Sequence, residues 1–482
     1  MRIAAPLLAS ALLLGLTACT TVGPDYAVPQ SAALQKPAAN GSFIAGKDQA
    51  FSSQPVPDGW WRLYHDPKLD QLIAQSLASN SNLRVAMANL QRALAMEDRT
   101  GAERNPHAAV EIGARKAQES GEAFLIEERL PVVNEGDAGI KIGYELDLFG
   151  KLKRADEAAH ANSQASEAAV DLVRITVAAE TARAYVQGCS ASHQLTVARH
   201  ELELQNRNTA IVQQLLTAGR GRITDLERAR AQGEALRANL PRYLAEQDAA
   251  RYRLAALQGK APGELAASAV ACDSEPQLSQ ALPIGDGAAL LKRRPDIREA
   301  ERQLAAATAS IGVATAELYP SITLGASAGY TGLLEHMGET RTSRWALGPL
   351  LSWTIPDSGA HARVKMAKAG ADAALARFDG VVLNALRETE TALTFYAKDL
   401  ERHAALRAAR DEARKAAQDN HRLYTAGRAP YASSLDADRT LAGSDAALAA
   451  ADAQLAQDQL TLFLALGGGW EQPSAQPAKA AE

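Results

Sequence analysis

The chain has 482 residues and a formal charge of -5, with 51 Lys and Arg set against 56 Asp and Glu, a balance that argues against a phosphate-binding surface and hence against nucleic acid as a partner. Only 5% of the residues are aromatic while Ala recurs throughout, which favours long close-packed helices over several large cores, even though the length allows for roughly three domains of ~150 residues. Three Cys exclude a disulfide-rich scaffold and a multi-Cys metal centre, and a mean hydropathy of -0.19 argues against wholesale helical membrane spanning.

Met1-Arg2 and the apolar run Ile3 to Leu16 have the flanks and length of a secretory signal, too short for a spanning helix. Leu16-Thr17-Ala18-Cys19 resembles the bacterial lipobox, in which small residues precede a Cys that is acylated and becomes the new N-terminus; the alternative is an ordinary signal with a chance Cys. Acyl chains at about 0.8 kcal/mol per buried methylene would tether Cys19 to a membrane without any spanning helix. Because Thr20, not Asp, follows the Cys, the resemblance to sorted lipoproteins implies delivery to the outer membrane. The expected layout is a signal over 1–18, a lipidated extended segment over 19–58, two repeats over 59–281 and 282–470, and a loose tail over 471–482.

In chain order, Asp66 to Arg104 reads as helix and is followed by two alternating stretches. In the first, Val110, Ile112 and Ala114 oppose Glu111, Gly113 and Arg115; in the second, Ile140, Ile142, Tyr144 and Leu146 oppose Lys141, Gly143, Glu145 and Asp147. Lys151 to Ala218 then runs without Pro into the turn Thr217-Ala218-Gly219-Arg220, and Ile223 to Gln258 returns as helix. Leu172, Ile175, Ala179, Ala182, Val186 and Cys189 keep heptad-like spacing, so coiled-coil packing is expected locally.

The second half repeats this layout. Leu83 to Pro106 aligns with Ile297 to Pro320, Gly150 with Gly359, the first turn with Thr425-Ala426-Gly427-Arg428, and Ala256 to Gly259 with Ala465 to Gly468. Its helices are Pro295 to Leu318, the Pro-free Ala360 to Ala426, and Leu435 to Leu466. Ile322, Leu324, Ala326, Ala328 and Tyr330 form one strand face, and Trp345, Leu347, Leu351, Trp353 and Ile355 share a parity in the next. Strands that are apolar on one side and small or polar on the other, with aromatics near their ends, are what a transmembrane β-barrel requires; a soluble sandwich is the alternative. Since about eight strands are needed to close even a filled barrel, several chains would have to share one.

The lipobox, Val22-Gly23-Pro24-Asp25-Tyr26, Trp60-Trp61 with Asp66-Pro67 and Leu69, Glu145 to Gly150, and Arg293-Arg294-Pro295-Asp296-Ile297 occur in that order on the duplicated frame. From Cys19 to Trp470 the chain thereby resembles the outer membrane efflux family, the TolC-like channels, in the OprM/NodT-type lipoprotein branch. This resemblance implies a mixed fold, in which a homotrimer contributes four strands per chain to a twelve-stranded transmembrane β-barrel, continued by a long periplasmic α-helical barrel. It also implies passive export of drugs or other small molecules through the outer membrane, with a periplasmic adaptor and an inner-membrane pump of the resistance-nodulation-division type as partners. No cofactor, catalytic residue or metal site is expected beyond the lipid at Cys19. Pro356-Asp357-Ser358-Gly359 lacks the aromatic expected from the family, which implies a looser joint there.

The turn glycines suit a left-handed helix cap. By resemblance the turns, with Ala218, Gly219, Arg220, Ala426, Gly427 and Arg428, also meet the adaptor, although capping alone would explain each Gly. In the family an Asp and an Arg at the positions of Asp436 and Arg439 lie at the periplasmic mouth, so Asp436, Asp438 and Arg439 are the expected gate. Three-fold symmetry would make the Asp a self-repelling ring releasable from Arg partners, whereas an ordinary solvated helix face is the alternative. Ala432 stands where the family tends to carry a bulky apolar residue, so no apolar constriction is expected. Asp225, Glu227 and Arg228 are the first-half counterparts, Asp225 being a candidate helix cap. Cys189 stands ~46 Å above the first turn along its helix and the returning helix ends ~54 Å above it, so a bond between Cys189 and Cys272 is within reach, and two free thiols are the alternative.

Rival readings fare worse. Gly325-Ala326-Ser327-Ala328-Gly329 matches G-x-S-x-G, but a nucleophile elbow needs a strand, a sharp turn and a helix, and here Ser327 lies within clean alternation. A lipid-anchored coiled-coil tether explains the helices and not the amphipathic strands. Within the channel class, type I protein secretion and metal-ion export are the alternatives to drug efflux.

Overall fold

The computed structural model describes residues 21–122, 125–270, 272, 274–278, 281–355 and 359–468. The signal sequence, Cys19, the joint Pro356-Asp357-Ser358 and the tail over 471–482 lie outside the described residues. In chain order the elements are β1 (Phe51–Ser52), α1 (Pro67–Ser79), α2 (Ser81–Ala102), β2 (His107–Ala117), β3 (Val133–Leu146), α3 (Lys151–Thr217), α4 (Ile223–Arg237), α5 (Leu240–Leu257), β4 (Leu282–Pro283), α6 (Gly287–Arg293), α7 (Pro295–Ala316), β5 (Ser321–Leu333), β6 (Ser343–Ser352), α8 (Ala360–Thr425) and α9 (Tyr431–Ala465). They form two compact units, one from Met1–Pro29, Asn89–Glu167 and Glu299–Phe378, the other from Gln30–Ala88, Ala168–Arg298 and Asp379–Glu482. Both units draw on both halves of the sequence, so a repeat and a compact unit divide the chain differently.

Two helices expected to be continuous are broken. Asn80 separates α1 from α2 because its side chain does two jobs: Oδ1 accepts from the Leu83 amide at 3.1 Å, capping α2, while Nδ2 donates to the Leu257 carbonyl at 2.9 Å. Ala238 and Asn239 separate α4 from α5, which opens with Pro241 in its first turn, where a missing amide costs nothing. Both long helices run unbroken through an interior Gly, at Gly188 and Gly370. At Gly188 a Cβ would approach the Val270 Cβ to 2.6 Å, so the small residue lets the segment after α5 pack directly on α3.

The first unit holds a fully antiparallel sheet in the order β2-β3-β5-β6. Its register aligns Val110 with Ile140, Ile140 with Ala328 and Ala328 with Trp345, and the neighbouring row aligns Ala109, Lys141, Ser327 and Ala346. Alternation therefore collects most of the large apolar side chains of the four strands on one face, Leu333 and Leu350 being on the other. Asp147, just past β3, starts α3 by accepting from the Leu152 and Lys153 amides at 3.0 and 2.8 Å.

The second unit has the larger core. Ala179, Ala182, Val186 and Cys189 of the heptad-like run are buried there, together with Trp60, Leu69, Ile73, Leu254 and Phe463, and Ile175 is buried on the same helix. Trp60 is 0% exposed and stacks on Phe463 with ring centroids 4.7 Å apart, while Trp61 and Tyr64 meet it edge-on. Asp66 caps α1 through the Lys68 and Leu69 amides and accepts from the Tyr185 hydroxyl at 2.8 Å. The expected helix start at Pro295-Asp296 is tied down further: the Arg294 guanidinium donates to Asp296, to Glu388 of α8 and to the Ala465 carbonyl at the end of α9.

Candidate functional site

Three surfaces bear on function. The first is the sheet. Ile112, Trp345 and Leu347 are 82%, 81% and 78% exposed on the apolar face, and Val110, Ile140, Ile142 and Leu351 are exposed beside them. The opposite face carries ion pairs instead: Arg115 with Glu135 at 2.7 Å, Lys141 with Glu111 at 2.5 Å, and Arg344 with Asp137 at 3.0 Å, Arg344 also donating to Thr331 at 2.6 Å. An uncovered apolar face of this extent is a surface built to meet something other than water. Ser327 sits mid-strand on the charged side, opposite Lys141 and Ala346. Where the strands meet the helices, Phe149 stacks on Tyr319 at 4.5 Å, and the Trp353 indole donates to the Leu318 carbonyl at 3.3 Å.

The second surface is the segment that follows Cys19. Arg154, whose side chain is 4% exposed, donates to the Val22 and Gly23 carbonyls at 3.1 Å and to Asp25 at 2.8 Å, and pairs with Glu157 at 2.7 Å. Tyr26 donates to Glu301 at 3.2 Å beneath the Arg302 guanidinium. Val22 to Tyr26 is thus strapped to α3 and α7. The sequence motif marked the strap but not Arg154, which lies too far along the chain for spacing to connect them.

The third comprises the two helix turns. Gly219 and Gly427 have φ of 73° and 69°, and no heavy atom lies within 4 Å of a Cβ placed on either, so backbone conformation and not crowding selects Gly. The Arg220 amide reaches back to the Leu215 carbonyl and the Arg428 amide to Leu423, each at 2.8 Å, closing the helix ends. Ala218, Gly219, Arg220, Ala426, Gly427 and Arg428 are all exposed. A small core of Val212, Leu226, Ala229, Tyr431 and Leu435 holds the helices together beneath them.

Asp436 and Arg439 are exposed and do not pair with each other; the Arg439 Nε donates to Gln232 of α4 at 2.9 Å. Asp438 turns inward, accepts from Asn208 of α3 at 3.1 Å, and is raised above the usual carboxylate range by burial, against the opposing pull of His421. Asp225 is not a cap: α4 begins at Ile223, its N-cap Arg222 makes no side-chain cap, and Asp225 lies 4.0 Å from Arg228.

Cys189 and Cys272 are joined, with Cα atoms 5.1 Å apart. One helical turn on, His193 contacts Glu275 at 2.9 Å; hydrogen bonding to that 1% exposed carboxylate raises the imidazole above its ordinary value. Replacing both Cys by Ser is expected to cost about 2–4 kcal/mol, the usual worth of a bond closing a long loop, read as a lower melting temperature without reductant and no further loss on adding it.

A four-stranded sheet with one uncovered apolar face, on a chain dominated by long helices that close in paired turns, is the fold of the outer-membrane channels. The chain belongs to the outer membrane efflux protein family, which matches residues 72–260 and 288–468. Among solved structures it is similar to the outer-membrane channel OprN, with a TM-score of 0.87, 37% identity, and coverage of 94% of this chain and 100% of that one. Outer membrane protein OprJ of Pseudomonas aeruginosa is 30% identical over 472 residues, 96% of each chain. The cation efflux system protein CusC of Escherichia coli K12 is 28% identical over 469 residues, 96% of this chain and 99% of CusC.

Proposed function

We propose that the protein is the outer-membrane channel of a tripartite efflux system, a passive duct for drugs or other small molecules. The observation that carries this reading is the sheet register, which gathers exposed apolar side chains on one face and ion pairs on the other, lipid outside and water inside. Four strands leave β2 and β6 as edges among the described residues, which supports a homotrimer closing a twelve-stranded barrel. Cys19, acylated, would anchor the chain in the outer membrane, and the Arg154 strap would carry that anchor to α3. The exposed turns at Gly219 and Gly427 would receive a periplasmic adaptor, itself joined to an inner-membrane pump.

Asp436, Arg439 and Asp438 form the proposed gate. With Arg439 held by Gln232, Asp436 is left to face its symmetry mates, so cations would collect at the ring and its removal would ease opening. In planar bilayers the purified protein is expected to conduct, and Asp436→Ala to raise mean conductance several-fold. Absence of any conductance would overturn the channel reading in favour of a tether; conductance that Asp436→Ala leaves unchanged would overturn the gate alone. Similarity to a protein named for cation efflux favours metal-ion export as the second reading, tested by profiling metal and drug sensitivity after deletion of the gene.

A further inference from the structure

Helices α3, α4, α8 and α9 line an open cavity of about 520 Å³, bordered also by Asp438 and Arg439 of the proposed gate. Glu201 of α3 and Asp445 of α9 both line it and share a side-chain hydrogen bond. Two carboxyl groups can share such a bond only while one proton stays between them, because two carboxylates in contact repel. Arg410 and Arg414 of α8 approach Asp445 to 3.9 and 3.6 Å, which places the shared proton on Glu201.

We propose that Glu201 and Asp445 form a proton-held latch between α3 and α9, closed in acid and released as the medium turns alkaline, when the bare carboxylates push the two helices apart. Besides Glu201, α3 contributes His200 and Arg207; α4 presents the uncharged Gln232 and Leu236; α8 presents Arg414 and His421; and α9 adds Asp438 and Arg439 to Asp445. Asp438, about two turns from Asp445 along α9, adds to the repulsion, and Arg414 alone among these opposes it. Burial, then Asp445, raises Glu201 to about 7. A carboxyl raised in this way contributes fully below the ordinary Glu value of about 4.3, and its contribution is lost as pH rises through its folded value. Any effect on the channel mouth rests on the gate reading above; the latch itself does not.

The test is the α3 to α9 separation, measured by electron-spin distance spectroscopy on full-length protein. Spin labels go at the exposed positions Asn206→Cys and Gly443→Cys, with labelled protomers diluted into unlabelled ones. The wild-type distance is expected to lengthen between about pH 6 and about pH 8, with the midpoint at about 7. Glu201→Gln, permanently neutral, is expected to stay at the short distance throughout, and Asp445→Asn likewise to lose the lengthening, because an amide facing the ionised Glu201 does not repel it. A wild-type distance that ignores pH would overturn the latch, as would a transition unaltered in Glu201→Gln. Conductance recorded over the same range separates the two readings: a separation that moves without any change in conductance upholds the latch and removes its link to the gate.

Discussion

Arginine at Ile140 is expected to keep the chain out of the outer membrane, while arginine at Ala346 leaves insertion intact. The two positions lie in adjacent rows of one sheet, so depth is nearly matched and only the face differs. On a lipid-facing strand position near the bilayer centre an Arg costs about 2–4 kcal/mol, and a homotrimer carries it three times, for a total on the order of 6–12 kcal/mol. Ala346 shares its face with Lys141 and Arg344, where water solvates charge already. Fractionating membranes on a density gradient reads the result directly. If both variants reach the outer membrane equally well, the apolar face does not meet lipid and the soluble-sandwich reading returns.

Trp60→Ala is expected to cost about 3–5 kcal/mol, the range for emptying a fully buried aromatic site. The indole fills a slot between Phe463, Tyr64 and Trp61, and a Cβ on Gly468 would come within 3.4 Å of it, so the stretch from Phe463 to Gly468 closes over a ring already flanked by its own sequence neighbours. Its Nε1 has no partner among the described residues, so the loss is one of packing, without a broken hydrogen bond. Thermal melts in detergent should fall by on the order of 10 °C, whereas Trp61→Ala, at a half-buried position, should fall by much less. Equal shifts for the two would mean that Trp60 is not the anchor its burial implies.

The strands were legible because alternation has period two and survives in any register; that Val110, Ile140, Ala328 and Trp345 share a row needed only the parity of each strand. Heptad spacing likewise found the buried side of α3 from Ile175 to Cys189. The break at Asn80 was not legible, because it depends on a side chain reaching a carbonyl far along the chain at Leu257. Asp225 misled for a related reason: capping residues are recognised by their distance from the first helical turn, and that turn begins at Ile223. Glu201 and Asp445 lie on helices whose sequences are polar along much of their length, and only their meeting across a cavity sets them apart. The family motifs, by contrast, proved to be contact points: Trp60, Asp66, Asp147 and Arg294 each fasten one element to another.

β3 pairs with β5 through a register running from Glu135 with Leu333 to Leu146 with Ile322, so the centre of the sheet joins strands from opposite halves of the sequence. Such pairing cannot begin until both have been made, and the loop to be closed includes all of α3, α4, α5 and α7. A ribosome that has finished the first half therefore leaves β2 and β3 as a lone hairpin with an apolar side, too small to be stable in water. Synthesis order thus imposes a waiting period, and a chain truncated after the first repeat should collect as aggregate or as protease substrate, not as half a channel.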